Sequence, residues 1–156
     1  MKIIYDIDCL LYFLRIKRTN LLEAEFDRIV ISNKVFNSLN NPSIPDFIKE
    51  QLNIIVEKEF VKVEEISYNT KAFDIYYELI DENKDQILGS GEASSIAIAV
   101  KNNGTIAYTN PDAIKDYLEK YDLRCITLED ILKNLLKRGT ISDEEFEKLI
   151  SKSKNY

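Results

Sequence analysis

The 156 residues of this chain include no histidine and no tryptophan, and only two cysteines, three prolines and four glycines. Without histidine there can be no His-based triad and no His general base, so any hydrolysis must be run by carboxylates, by a metal, or by both. The usual His/Cys zinc sites are excluded for the same reason. Cys9 and Cys125 stand far apart in the chain, and such a pair reads as small buried apolar side chains rather than as a disulfide. With so little glycine and proline, there is scant material for a flexible linker. Long hydrophobic runs are also missing: apolar stretches such as Ala97-Ile98-Ala99-Val100 stop after a few residues, whereas a membrane span needs roughly 20.

What is present suits a compact fold, with 45% apolar and 31% charged residues. At this length one domain, residues 1–156, is the expectation. The opening Met1-Lys2-Ile3-Ile4-Tyr5-Asp6 reaches an acid too soon for a signal peptide. The chain is therefore expected to be soluble and cytoplasmic, with no membrane partner. Its net charge of −6 argues against nonspecific coating of nucleic acid, which relies on Lys and Arg to neutralise phosphates. A nuclease stays open: carboxylates gathered around a cation add negative charge themselves, and a local basic rim of Arg15, Lys17 and Arg18 could meet a phosphate backbone.

Along the chain, Ile3-Ile4-Tyr5 reads as a short strand ending in the acidic turn Asp6-Ile7-Asp8, after which Leu10 to Ile16 follow helical spacing. Arg28 to Ile31 reads as a second strand, closed by Ser32 and Asn33 ahead of a helix from Lys34. A helix through Phe47 and Val56 precedes a strand at Val61, Val63 and Ile66, and a further helix is expected between Asn69 and Leu88. Gly91-Glu92 opens a strongly apolar helix that Asn102-Asn103-Gly104 should close with a left-handed cap. Strands at Thr105–Tyr108 and Arg124–Ile126 each lead into a helix. The last helix starts at Ser142 with Glu145 in a capping-box position, after a Gly139 suited to end its predecessor. Alternating strands and helices predict a three-layer α/β/α fold with a mainly parallel central sheet. Its functional crevice should lie beyond the carboxyl ends of the strands, where Asp6 and Asn110 fall and which Glu92 could reach.

Three segments, Ile3-Ile4-Tyr5-Asp6-Ile7-Asp8, Gly91-Glu92-Ala93-Ser94-Ser95-Ile96-Ala97-Ile98-Ala99 and Thr109-Asn110-Pro111-Asp112, resemble a PIN domain in order and spacing. The closest likeness is to the subgroup with a Gly-Glu-Ala-Glu-Ala helix, and the tail from Leu132 to Ile150, with Lys137-Arg138-Gly139-Thr140-Ile141-Ser142, is similar too. The resemblance implies a Mg²⁺- or Mn²⁺-dependent ribonuclease of VapC-like type, the toxin of a toxin–antitoxin pair. It likewise implies RNA and a small antitoxin protein as partners, and a homodimer. Asp6 and Glu92 fall on two of the family's acids. At the other two positions the chain departs: Val35 is followed by Phe36, Asn37 and Ser38, and Asn110 and Pro111 stand at the later turn with Asp112 just beyond.

The resulting expectation is a metal site of Asp6, Glu92, Asn110 and Asp112, with Asp6, Glu92 and Asp112 catalytic and Asp8, Ser38 and Thr109 as further candidates. Neutral Asn or Ser attracts a divalent cation far less than a carboxylate does. A PIN-fold protein that binds RNA or a protein without cleaving is therefore the second expectation, and an unrelated α/β binder the third. Local capping competes with a metal role at each residue: an acid or Asn at the start of a helix also satisfies its first amides and its dipole.

Overall fold

The computed structural model describes residues 3–83, 88–102 and 104–154. Five parallel strands form one sheet in the order β3-β2-β1-β4-β5. They are β1 Ile3–Tyr5, β2 Ile29–Ser32, β3 Val61–Glu64, β4 Thr105–Ala107 and β5 Arg124–Ile126. The central β1 pairs Ile3 with Ile29 on one side and with Thr105 on the other. Side chains alternate across a strand, and the core divides accordingly. Ile3, Tyr5, Ile29 and Ile31 join one cluster, while Ile4, Val30 and Ile106 join the other. Burial on both faces explains why β1 and β2 read as apolar runs, whereas β3 at the edge, Val61-Lys62-Val63-Glu64, alternates.

The first face is covered by α1 Ile7–Arg15, α2 Thr19–Glu25, α3 Asn33–Leu39, α4 Asp46–Glu57, α8 Leu128–Lys137 and α9 Asp143–Ser153. The second is covered by α5 Lys71–Glu82, α6 Ser90–Lys101 and α7 Lys115–Lys120, the last entered through a 3-10 turn at Pro111–Ile114. The three-layer α/β/α expectation therefore holds. Among the described residues no helix is long and apolar enough to cross a membrane.

Three local features differ from the sequence reading. Helix α2 was not expected, since its seven residues bury only Leu21 and Leu22, too short a pattern to announce itself. The complete capping box is at α8, where Thr127 and Asp130 exchange bonds at 3.1 and 2.9 Å. At α9 only half of the expected box forms: Ser142 Oγ accepts from the Glu145 amide at 3.1 Å, while the Glu145 carboxylate pairs with Arg18 at 2.7 Å. Gly139 ends α8 as expected, at φ 75°, with the Thr140 amide reaching back to Leu135 O. Helix α5 occupies Lys71–Glu82 of the expected 69–88 span, and at the expected Asn102-Asn103-Gly104 cap Asn102 has φ −94° and the Gly104 amide reaches back to Ala99 O at 2.9 Å; residues 84–87 and Asn103 lie outside the described residues.

Candidate active site

Chain order reverses between β1 and β4: from β1 the chain moves outward to β2 and β3, then returns to β4 on the opposite side. At such a switch point the two connections leave in opposite directions and open a crevice at the carboxyl edge. Asp6 is the first residue beyond β1 there, its amide donating to Ala107 O at 3.1 Å. It takes the N-cap position of α1 with extended backbone, yet its side chain makes no cap bond. The carboxylate is almost fully enclosed, 2% exposed, and its Oδ1 has no hydrogen-bond partner. Burial pushes Asp6 up from an ordinary 3.8 to about 7; the charges of Glu92 and Asp8 push the same way, and the Ile7 amide and Ser95 hydroxyl oppose them. The Ser95 hydroxyl also lies 3.0 Å from Gly91 O. Its single proton cannot serve both acceptors.

Glu92 arrives from the first turn of α6. Tyr108, the residue after β4, donates its phenol to Glu92 Oε2 at 2.8 Å. Burial, and then the Glu92 carboxylate, hold that phenol well above its ordinary range, so it remains a donor at any working pH. The α6 start is fixed against β2 by hydroxyls. Ser32 Oγ and Ser94 Oγ are 2.7 Å apart, Ser94 Oγ is 2.7 Å from Gly91 O, and Ser32 caps α3 by accepting from the Val35 amide. Sequence reading missed Tyr108, which it took as the last residue of the strand. The available signal was a phenol at a strand exit, where an apolar body can be buried while the hydroxyl seeks a partner.

The other expected residues are placed differently. Asp8 is exposed on α1, close enough to raise Asp6. Thr109 is exposed and shares a groove wall with Asp8. Asn110 is exposed at the start of the 3-10 turn and makes no side-chain cap bond. Asp112 faces outward, lining a separate cavity with Asn83, Asp116 and Lys120. Ser38 is exposed, and its hydroxyl bonds back to Lys34 O at 3.0 Å. The structure thus brings Asp6 and Glu92 together, leaves Asp8 at the rim, and directs Asp112 and Ser38 elsewhere. The basic trio is likewise divided: Arg18 is held by Glu145, Lys17 lies over the Phe47 ring, and Arg15 lines the groove beside Asp8. Both cysteines are free, with Cys9 buried and Cys125 half-buried.

Among the described residues no group of three His, Cys, Asp or Glu is arranged to hold a metal ion. The donor set is smaller, consisting of an unpartnered Asp6 oxygen and the Glu92 carboxylate beside it. Two carboxylates still fit a hard cation that keeps most of its water, the usual manner of Mg²⁺ binding.

A family model described as a PIN domain matches residues 2–155. Ten solved chains match as well. One is a PilT N-terminus domain protein from the hyperthermophilic archaeon Sulfolobus solfataricus P2, at 16% identity and a TM-score of 0.57, covering 87% of this chain and 94% of that one. No curated protein sequence matches. PIN domains are generally nucleases and typically use divalent metal ions. On the strength of the match along almost all its length, this chain belongs to the PIN domain family.

Proposed function

We propose that this protein is a divalent-cation-dependent ribonuclease in which Asp6 and Glu92 hold Mg²⁺ or Mn²⁺ at the carboxyl edge of the sheet. The observation that carries this reading is the buried, unpartnered Asp6 oxygen at the switch point, with the Glu92 carboxylate near enough for its charge to act on Asp6. A buried charge of this kind is costly unless something compensates it, and a cation does so. The cation supplies Lewis acidity toward water and phosphate oxygen. The chain's own residues do the positioning. Burial fixes Asp6 in one direction, Tyr108 holds Glu92 through a 2.8 Å bond, and the Ser32–Ser94 contact keeps the start of α6 against β2. Such fixed placement contributes to rate because the reacting groups need not be reordered.

The same reading extends to a toxin role, with a small antitoxin protein covering the crevice and a homodimer as the working form. The exposed Tyr68 and Tyr77, with the half-buried Phe73 ring between them, offer apolar surface for such an association. A second reading, a PIN fold that binds RNA or protein without cleaving, is favoured by the outward placement of Asp112 and by the small donor set.

Two measurements decide between them. Titration calorimetry with Mn²⁺ should show binding to the native chain that is lost in Asp6→Asn and weakened in Glu92→Gln. Incubation with single-stranded RNA should show Mn²⁺-dependent cleavage that disappears in Asp6→Asn. Cation binding without cleavage of any RNA favours the second reading, and absence of cation binding removes the first.

A further inference from the structure

At the start of α6 three donors converge on one carbonyl. Gly91 O accepts the Ser95 amide in the helical ladder, and it also lies 2.7 Å from Ser94 Oγ and 3.0 Å from Ser95 Oγ. A carbonyl has two lone pairs, and each hydroxyl has one proton. Ser94 Oγ is in turn 2.7 Å from Ser32 Oγ, which accepts the Val35 amide at 3.0 Å. Gly91 O has no proton to give, so the chain that satisfies every group runs one way: the Val35 amide donates to Ser32, Ser32 to Ser94, and Ser94 to Gly91 O. If Ser94 donated to Ser32 instead, the Ser32 proton would have no acceptor among these contacts. All three serines are buried, where a hydroxyl without an acceptor is costly. The ladder amide and the Ser94 hydroxyl together fill Gly91 O, which makes the Ser95 hydroxyl the surplus donor there. Its other acceptor is the Asp6 carboxylate, buried beside it. A hydrogen bond to an ionised carboxylate is roughly twice as strong as one between neutral groups, so the Ser95 proton goes to Asp6.

We propose that Ser95 is the positioning residue for Asp6, its hydroxyl engaging one carboxylate oxygen so that Oδ1, which has no hydrogen-bond partner among the described residues, is the one left for a cation. The proposal rests on the reading of Asp6 as a cation ligand and names the group that aims it. It also gives the Ser32–Ser94 contact a second purpose: besides holding α6 against β2, it keeps Gly91 O occupied and turns Ser95 toward the site. A Ser95 that only bonded back to Gly91 O would be an ordinary helix serine, whose loss is neutral or slightly stabilising.

The test is a double-mutant cycle of Ser95→Ala with Asp6→Ala, read by urea unfolding in EDTA at pH 8, where Asp6 is mostly ionised. Asp6→Ala removes the acceptor and relieves a buried charge, and Ser95→Ala removes a single oxygen, so all four chains are expected to fold. With Asp6 present, Ser95→Ala should lower the urea midpoint by about 0.5 to 1 M, the loss of one charge-assisted hydrogen bond set against the urea dependence of a domain this size. In the Asp6→Ala chain it should leave the midpoint unchanged or raise it slightly. Mn²⁺ calorimetry on the native chain and Ser95→Ala gives an independent readout: affinity should fall about tenfold, as when a group that orients a metal ligand is removed. Equal midpoint shifts in the two backgrounds overturn the proposal, and so does a native Mn²⁺ affinity that Ser95→Ala leaves unchanged; Mn²⁺ binding lost in Asp6→Asn would then leave the cation reading standing. Coupling of Ser95 to Asp6 in a native chain that binds no Mn²⁺ keeps the positioning role and overturns the cation reading instead.

Discussion

Two strands, β1 and β4, leave the sheet side by side, and the acids that follow them meet opposite conditions. Asp6 follows β1 directly, is 2% exposed and keeps an oxygen with no partner. Asp112 stands beyond β4 in a 3-10 turn and looks outward among Asn83, Asp116 and Lys120. Nearness in sequence to a family position therefore does not decide which carboxylate is available to a cation. Burial does, because an enclosed charge has lost its water and is driven to find a compensating partner, whereas an exposed one already has solvent.

The sharpest way to probe this difference is through pH. The folded-state value of Asp6, about 7, lies above its unfolded value near 3.8, so between these values the native state binds more protons than the unfolded chain. The contribution of Asp6 to stability is then greatest at acid pH and declines as pH rises through that window. Without cations, Asp6→Asn should stabilise the protein at pH 8 by on the order of 2 to 4 kcal/mol and have little effect near pH 4, as read from urea unfolding in EDTA. Adding Mn²⁺ should raise the native midpoint at pH 8 and leave that of Asp6→Asn in place. A difference between the native chain and Asp6→Asn that is the same at both pH values would show that Asp6 is not the strained partner.

Smaller effects refine the same contrast. Ser32→Ala removes both the α3 cap and the contact with Ser94, and should cost about 1 to 2 kcal/mol in the same unfolding assay. Tyr108→Phe removes one hydrogen bond to Glu92 and should cost about 1 kcal/mol. Its clearer effect should be a cleavage rate several-fold lower, about 0.7 to 1.4 kcal/mol in activation free energy, with RNA affinity retained. Asp112→Asn should change stability by less than about 0.5 kcal/mol and leave Mn²⁺ binding within twofold. An Asp112 effect as large as that of Asp6 would erase the distinction between the two strand exits.

Much of this was legible in the residues themselves. Both faces of the sheet are covered at its centre, so β1 and β2 appear as apolar runs, and the acid that follows Ile3-Ile4-Tyr5 stands out for that reason. Glu92 was legible because it opens a helix that is apolar almost all round. Tyr108 was not, since a phenol in an apolar strand looks the same whether its hydroxyl finds water or a carboxylate. The outward turn of Asp112 was hidden too. It depends on how the 3-10 turn packs Ile114 into the second core cluster, a tertiary choice that local spacing does not record. Helix α2 escaped because two buried leucines carry no period.

The position of β1 also shapes how the chain reaches this state. β1 comes first in chain order yet sits in the middle of the sheet, with Ile3 opposite Ile29 on one edge and opposite Thr105 on the other. During synthesis its first partner emerges soon after it, but the second edge stays open until β4 has been made. Until then a short, wholly apolar strand is left with unpaired amides and carbonyls, and closing that edge requires a long loop to be ordered before any contact rewards it. The same pairing that builds the crevice at Asp6 therefore makes completion of the central sheet a late event, and exposes its most apolar strand to other chains in the interval.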